Sequence, residues 1–329
     1  MAKNKFLLNK IEQDFAPYKK ILTTLGKSNP RIVVLGADLG NSTEIDEFKN
    51  RFPERFFNIG TAEANEINIA VGLAIEGEIP FVHSFGVFIT RRVYEQICIQ
   101  VAMQNINVKL VGTIPGLTSR LGPTHQAIDD LALMRTLPNM TVIDPADATE
   151  ISQAIPLIAE HQGPVYIRMM RREVPKIFDS KKYQFQIGKA VQIQEGKDIA
   201  IITSGIMLNQ ALTATLKLEK KGIFPTLLHI STIKPIDKPA ILKLAKKVKT
   251  IITIENHLIT GSLGSTIAEI IAEKGFDITL VRMGLQNEFA TPGTPDYLFK
   301  KYKLTDDNIV DKVISALKKL NNDKLKIKN

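Results

Sequence analysis

The chain has 329 residues, too many for one typical core and about right for two α/β domains of roughly 150 residues each. Hydrophobic residues make up 44% and charged residues 23%, as in soluble globular proteins, and no run of about 18 apolar residues offers a membrane span. The net charge of +9 sits largely on lysines of helical surface patterns and of the tail LKKLNNDKLKIKN; without Trp or basic–aromatic alternation it argues against nucleic-acid binding.

The N-terminus, MAKNKFLLNKIEQDF, has only a short apolar patch before Glu12 and Asp14 and does not read as a secretion signal, so a cytoplasmic chain is expected. Short β-branched runs then alternate with amphipathic stretches, the pattern of parallel βα units. In the first half the predicted strands are RIVVLG, IPFVH, NVKLVGT, MTVID and PVYIRM. The predicted helices are EANEINIAVGLAIEG, RRVYEQICIQVAMQ, QAIDDLALMRTL and ATEISQAIPLIAEH. The single cysteine, Cys98, lies in the second of these helices, where apolar neighbours predict a buried structural thiol; one cysteine allows neither an internal disulfide nor a cysteine-cluster metal site. After residue 175 the pattern lapses into VPKIFDSKKYQFQIG, which reads as a polar linker. It restarts with DIAIITS, the helix ALTATLKLEKKG, PTLLHIS, the helix AILKLAKK, TIITIEN, the helix GSTIAEIIAEKG, DITLVRM and a closing helix NIVDKVISALKKL. The expectation is two consecutive open α/β domains, residues 1–180 and 188–329, with functional groups just after the strands.

The strand ends that combine small, polar and aromatic residues are Asp38–Thr43, Gly60–Glu63, His83–Phe88 and Gly116–His125, as a cofactor cleft requires. Read alone, each has a plain structural explanation. Glu63 complements the dipole of the helix it opens, Phe85 and Phe88 pack in the core, and Asp38 shapes a turn.

The segments FNIGTAEANEINIAVGLA, IPFVHSFGVFITRRVYEQI, GPTHQAIDDLALMRTLPNMTVIDPADATE, GPVYIRMMRREVP and ENHLITGSLGSTIAE resemble, collinearly over nearly the whole chain, the C-terminal portion of transketolases and deoxyxylulose-phosphate synthases. The resemblance implies a thiamine-diphosphate pyrimidine-binding domain followed by a transketolase C-terminal-like domain. In that family a glutamate hydrogen-bonds N1′ of the aminopyrimidine so that the cofactor can lose its thiazolium proton, and Glu63 falls on that glutamate. Burial in the cleft is expected to favour its neutral form. Phe85 and Phe88 match the aromatic residues beside the pyrimidine, and Asp38 matches a position near the cofactor. His83 stands where a small residue is usual, which suggests a part in shaping the pocket. His125 matches the histidine of Thr-His-Gln, which contacts substrate and assists proton transfer. Arg171 aligns with an arginine that grips a sugar phosphate, although its neighbours Arg168 and Arg172 could equally be the exposed member; Ser42 matches the substrate channel.

The family's Gly-Asp-Gly segment, which holds Mg²⁺ and the diphosphate, is missing. The resemblance therefore implies a partner: an N-terminal transketolase subunit carrying the metal site, assembled with this chain as two heterodimers in a heterotetramer, with no metal ligands in this chain. The implied activity is a transketolase-type transfer of a two-carbon ketol unit between a ketose phosphate and an aldose. The β subunit of a 2-oxo acid dehydrogenase, a deoxyxylulose-phosphate-synthase-like subunit and a non-catalytic partner are the alternatives. The pattern breaks at Ile114, where transketolases usually have His, and in IPGLTSRLGPTHQ, where Arg120 stands in place of an acidic loop. An arginine usual near Phe15 is also replaced. Arg120 either supplies a relocated anion contact or marks a site that has drifted.

Overall fold

The structure is a computed structural model and describes residues 12–326. The first domain runs through β1 (Glu12–Phe15), α1 (Pro17–Ser28), β2 (Ile32–Gly36), α2 (Asp46–Arg51), β3 (Phe56–Asn58), α3 (Glu63–Ile75) and β4 (Ile79–Phe85). It continues with α4 (Tyr94–Gln96), β5 (Lys109–Thr113), α5 (Asp130–Thr136), β6 (Thr141–Ile143), α6 (Ala148–Glu160), β7 (Val165–Met169) and β8 (Glu173–Lys176). The second comprises β9 (Val191–Gln194), β10 (Asp198–Thr203), α7 (Met207–Glu219), β11 (Thr226–His229), β12 (Thr232–Lys234), α8 (Lys238–Ala245), β13 (Val248–Leu258), α9 (Leu263–Glu273), β14 (Thr279–Leu285), α10 (Pro295–Lys301) and α11 (Asp306–Lys326). Among the described residues no helix is long and apolar enough to cross a membrane.

The main sheet of the first domain has the order β12-β6-β7-β5-β4-β2-β3, parallel except for β12. Its central strands β2, β4, β5 and β7 are buried along their whole length, which is why they read as continuous apolar runs rather than as alternation. The second sheet has the order β14-β13-β10-β11-β9, with only β9 antiparallel. The chain order reverses between β2 and β4 in one sheet and between β10 and β13 in the other. Such points leave a crevice outside the carboxyl ends of the strands.

The anticipated strands and helices all have counterparts, with three corrections. Residues 174–188 are not a free spacer. Ile177, Phe178, Tyr183 and Phe185 are buried, the Phe178 and Tyr183 rings stack 4.0 Å apart, and the peptide N–H groups of Ile177 and Phe178 donate to Asp147 Oδ2 at 2.7 and 2.8 Å. Asp147 also caps α6 through the Glu150 N–H at 2.7 Å, so one carboxylate starts the helix and pins the crossing segment. A short polar stretch hides such packing because its apolar residues follow no period. Next, the region expected as one helix over RRVYEQICIQVAMQ winds with π-type turns at Phe88–Arg92 and Ile97–Ala102, and Cys98 is half-buried at the core margin rather than enclosed. Lastly, β12 leaves the second domain to pair with β6 of the first, an exchange invisible to local periodicity.

Candidate active site

The β2/β4 switch point gathers the key side chains. β4 ends in Ser84 and Phe85, and β3 leads through Gly60, at φ 76°, into α3, whose first residue is Glu63. The Glu63 side chain is only 2% exposed. Arg92 Nη1 donates to its two carboxyl oxygens at 2.9 and 2.8 Å, and Ser84 Oγ lies 3.5 Å from Oε1. A buried carboxylate needs such a partner, because an unpaired charge in an apolar surround is strongly disfavoured. Glu63 is thus buried together with a guanidinium partner.

Arg92 and its neighbour Arg91 diverge from the π-type turn, a distortion often found at functional sites. Arg91 Nε donates to both oxygens of Asp129 at 2.8 and 2.9 Å, and its other nitrogens reach the carbonyls of Pro123 and Gln126 at 3.3 Å. One arginine thus holds Glu63 and the other holds the loop that carries His125. Three residues beyond Glu63, Glu66 is fully buried, with no charged partner among the described residues and only the His83 backbone N–H directed at its carboxyl; burial pushes its pKa up to about 8.

The rings of Phe85 and Phe88 stack with centroids 5.9 Å apart, and His125 meets Phe88 edge-on at 5.2 Å. The Arg92 guanidinium lies 4.3 Å from the centre of the Phe88 ring. Thr124 Oγ1 is 2.9 Å from Nδ1 of His125. Glu63, Arg92, Phe88, His125 and Phe85 therefore form one connected group. Phe85 also lines an adjoining cleft of about 870 Å³ together with Ser42, Ile114, Arg120, Arg171 and Arg172.

Of the three neighbouring arginines, Arg168 is excluded from the cleft. It is 2% exposed and bonded to Asp130 at 2.5 and 2.8 Å. Arg171 lines the cleft and donates to the Ser42 carbonyl at 3.2 Å, while Arg172 lines it beside an exposed rim. Asp38 lies apart from both groups in an exposed turn at φ 59°; its N–H donates to Asn58 Oδ1 at 2.9 Å and its Oδ1 accepts from Asn58 Nδ2 at 3.3 Å. This exchange ties the ends of β2 and β3 together. His83 does not shape the pocket. It faces the opposite side of β4 from Ser84, bonded to the Tyr18 hydroxyl and to the Leu35 carbonyl, with its pKa lowered to about 4 by burial.

The profile of the transketolase pyrimidine-binding domain matches residues 16–176, and that of the transketolase C-terminal domain matches residues 188–309. The chain belongs to the transketolase family. It is 41% identical to the 6-deoxy-6-sulfo-D-fructose transketolase subunit SqwH of Clostridium sp. (strain MSTE9), over 89% of this chain and 91% of the relative. It is 32% identical to an apulose-4-phosphate transketolase subunit of Phocaeicola vulgatus, over 91% of this chain and 95% of the relative. A solved structure described as a split gene transketolase, inactive beta4 tetramer, matches with a TM-score of 0.85 and 41% identity, covering 93% of this chain and 99% of its own.

As a transketolase subunit, this chain places two further charged residues by Glu63: Arg92, paired with its carboxylate, and Glu66, buried one turn along α3. Arg92 was signalled by the doubled arginine in TRRVYEQI, and Glu66 by a second acid on the helix that Glu63 opens. Neither pattern says which side chain points inward until β4 and the π-type turn are in place.

Proposed function

We propose that the chain is the C-terminal subunit of a split, thiamine-diphosphate-dependent transketolase, moving a two-carbon ketol unit from a ketose donor to an aldose acceptor. The observation that carries this reading is Glu63: a buried carboxylate at the head of a helix, beside stacked aromatic rings, at the sheet's switch point. The residues fit the aminopyrimidine end of the cofactor. Glu63 would face N1′, with Phe85 and Phe88 as the apolar wall. When bound, thiamine diphosphate supplies the electron sink for breaking a bond next to a carbonyl.

This chain's own groups then have distinct tasks. Glu63 would share a proton with the ring nitrogen of the bound cofactor, Arg92 holds the carboxylate in place through both oxygens, and His125 offers an imidazole for proton transfer at substrate. Arg171 and Arg120 present guanidinium groups to an anionic end of the sugar. The named relatives act on a sulfonated and a phosphorylated sugar, which supports an anionic substrate class. Mg²⁺ and the diphosphate would be held by an N-terminal partner subunit in a heterotetramer. The subunit naming of the relatives and the inactive tetramer of the structural neighbour support a need for that partner.

The test is co-purification with a Gly-Asp-Gly-containing chain, followed by calorimetric titration with thiamine diphosphate and Mg²⁺ and by a ketol-transfer assay. Cofactor binding and turnover by the pair, but not by either chain alone, is expected. Failure of the pair to bind cofactor would overturn the proposal.

A further inference from the structure

The turn that follows β5 is held in an unusual shape. Ile114, a β-branched residue, sits at φ 58° and Gly116 at φ 54°, both in the left-handed region that disfavours a branched side chain. A strained residue persists only where its surroundings over-determine it, and such residues gather at functional sites. Ile114 lines the cleft.

The side chain that over-determines this turn comes from the other domain. Asn256, near the carboxyl end of β13, accepts from the Leu117 N–H through Oδ1 at 2.8 Å and donates from Nδ2 to the Pro115 carbonyl at 3.1 Å. Its own carbonyl accepts from Arg168 Nη1 at 3.2 Å, and Arg168 is locked on Asp130. A Cβ at position 116 would overlap Asn256 Oδ1, so only glycine lets the amide approach this closely. From the first domain, the Gly116 N–H bonds the Ala127 carbonyl at 2.9 Å. Farther along the same loop the second domain makes further contacts: Gly293 N–H to the Arg120 carbonyl at 3.1 Å, and Gln126 Nε2 to the Thr291 carbonyl at 3.1 Å. The first domain thus packs against the carboxyl end of β13.

We propose that Asn256 is a positioning residue: through its side-chain amide the second domain holds residues 114–117 in their strained form and so sets where Ile114 and Arg120 stand in the substrate cleft. The clamp itself is independent of the activity, whereas its consequence for catalysis rests on the transketolase reading. Two measurements separate them. In the full chain alone, Asn256→Ala speeds amide exchange at residues 114–122 at least about tenfold, as expected for loss of a bidentate amide pair, with exchange in β10 and β13 unchanged. Gly116→Ala, which disrupts the same contact from the loop side, gives the same local signature.

With the partner subunit, Asn256→Ala raises the KM for the sugar donor about tenfold and changes kcat and thiamine-diphosphate affinity less than about twofold. Unchanged exchange at 114–122 in both Asn256→Ala and Gly116→Ala would overturn the clamp. Faster local exchange with unmoved KM in an active pair would overturn its role in the cleft. Absence of ketol transfer even in the wild-type pair would refute the transketolase reading while leaving the clamp standing.

Discussion

Glu63 and Glu66 are three residues apart on one helix face, yet their surroundings oppose each other. Arg92 satisfies the first through both oxygens, while the second is buried without a cationic partner. In the assembled enzyme Glu63→Ala is expected to lower ketol transfer by about 10²–10⁴-fold, the range for loss of a proton-handling group. Because Arg92 is half exposed and can turn to water, the urea midpoint should move little; turnover near the wild-type rate would contradict the assignment. Glu66 makes a pH-dependent contribution. Its carboxyl titrates near 4.5 when unfolded and about 8 when folded, so the folded state favours the neutral form. The benefit is complete below 4.5 and declines as the pH rises toward 8, where the folded chain carries an unfavourable buried charge. Glu66→Gln should therefore raise Tm at pH 8 and change it little at pH 5. A Tm difference that does not vary between these two pH values would refute this sign.

Among the elements, α5 and β7 are joined by a buried ion pair away from the cleft. Arg168 on β7 pairs with Asp130 at the start of α5, and Tyr166 on the same strand donates its hydroxyl to Asp130 at 2.6 Å. The guanidinium depresses the Asp130 pKa against the effect of burial. Arg168→Met would leave Asp130 buried without its cation and should cost about 3–5 kcal/mol in urea unfolding; a loss below about 1 kcal/mol would show that Tyr166 and water suffice. The same elements mark what sequence patterning reads well and badly. The buried parallel strands were legible as short, largely apolar runs, and α6, α7 and α9 because a helical period places their buried residues on one face. The crossing segment 174–188, β12 and the π-type turns were not, because their geometry answers to residues far away in the chain, such as Asp147 and β6.

The whole molecule behaves as one body rather than as two beads on a string. Each of the two large hydrophobic clusters runs through both domains, joining Tyr18 and Leu22 to Met207 and Leu298 in one, and Leu131 to Ile202 in the other. With β12 inserted beside β6 and Asn256 seated on the first domain, separating the domains would expose core. Calorimetry of the chain should accordingly show a single unfolding transition; two resolved peaks would contradict this coupling.

Strand identity, the two-domain α/β class, the position of Glu63 and the absence of the Gly-Asp-Gly segment could all be read along the chain. Each depends on local period or on a collinear motif. The pairing of Glu63 with Arg92, the withdrawal of Arg168 from the cleft, the inward-facing role of His83 and the grip of Asn256 on the strained turn at Ile114 could not. These depend on which side of a strand faces which neighbour and on contacts between residues 29 to 139 positions apart, and packing alone sets them.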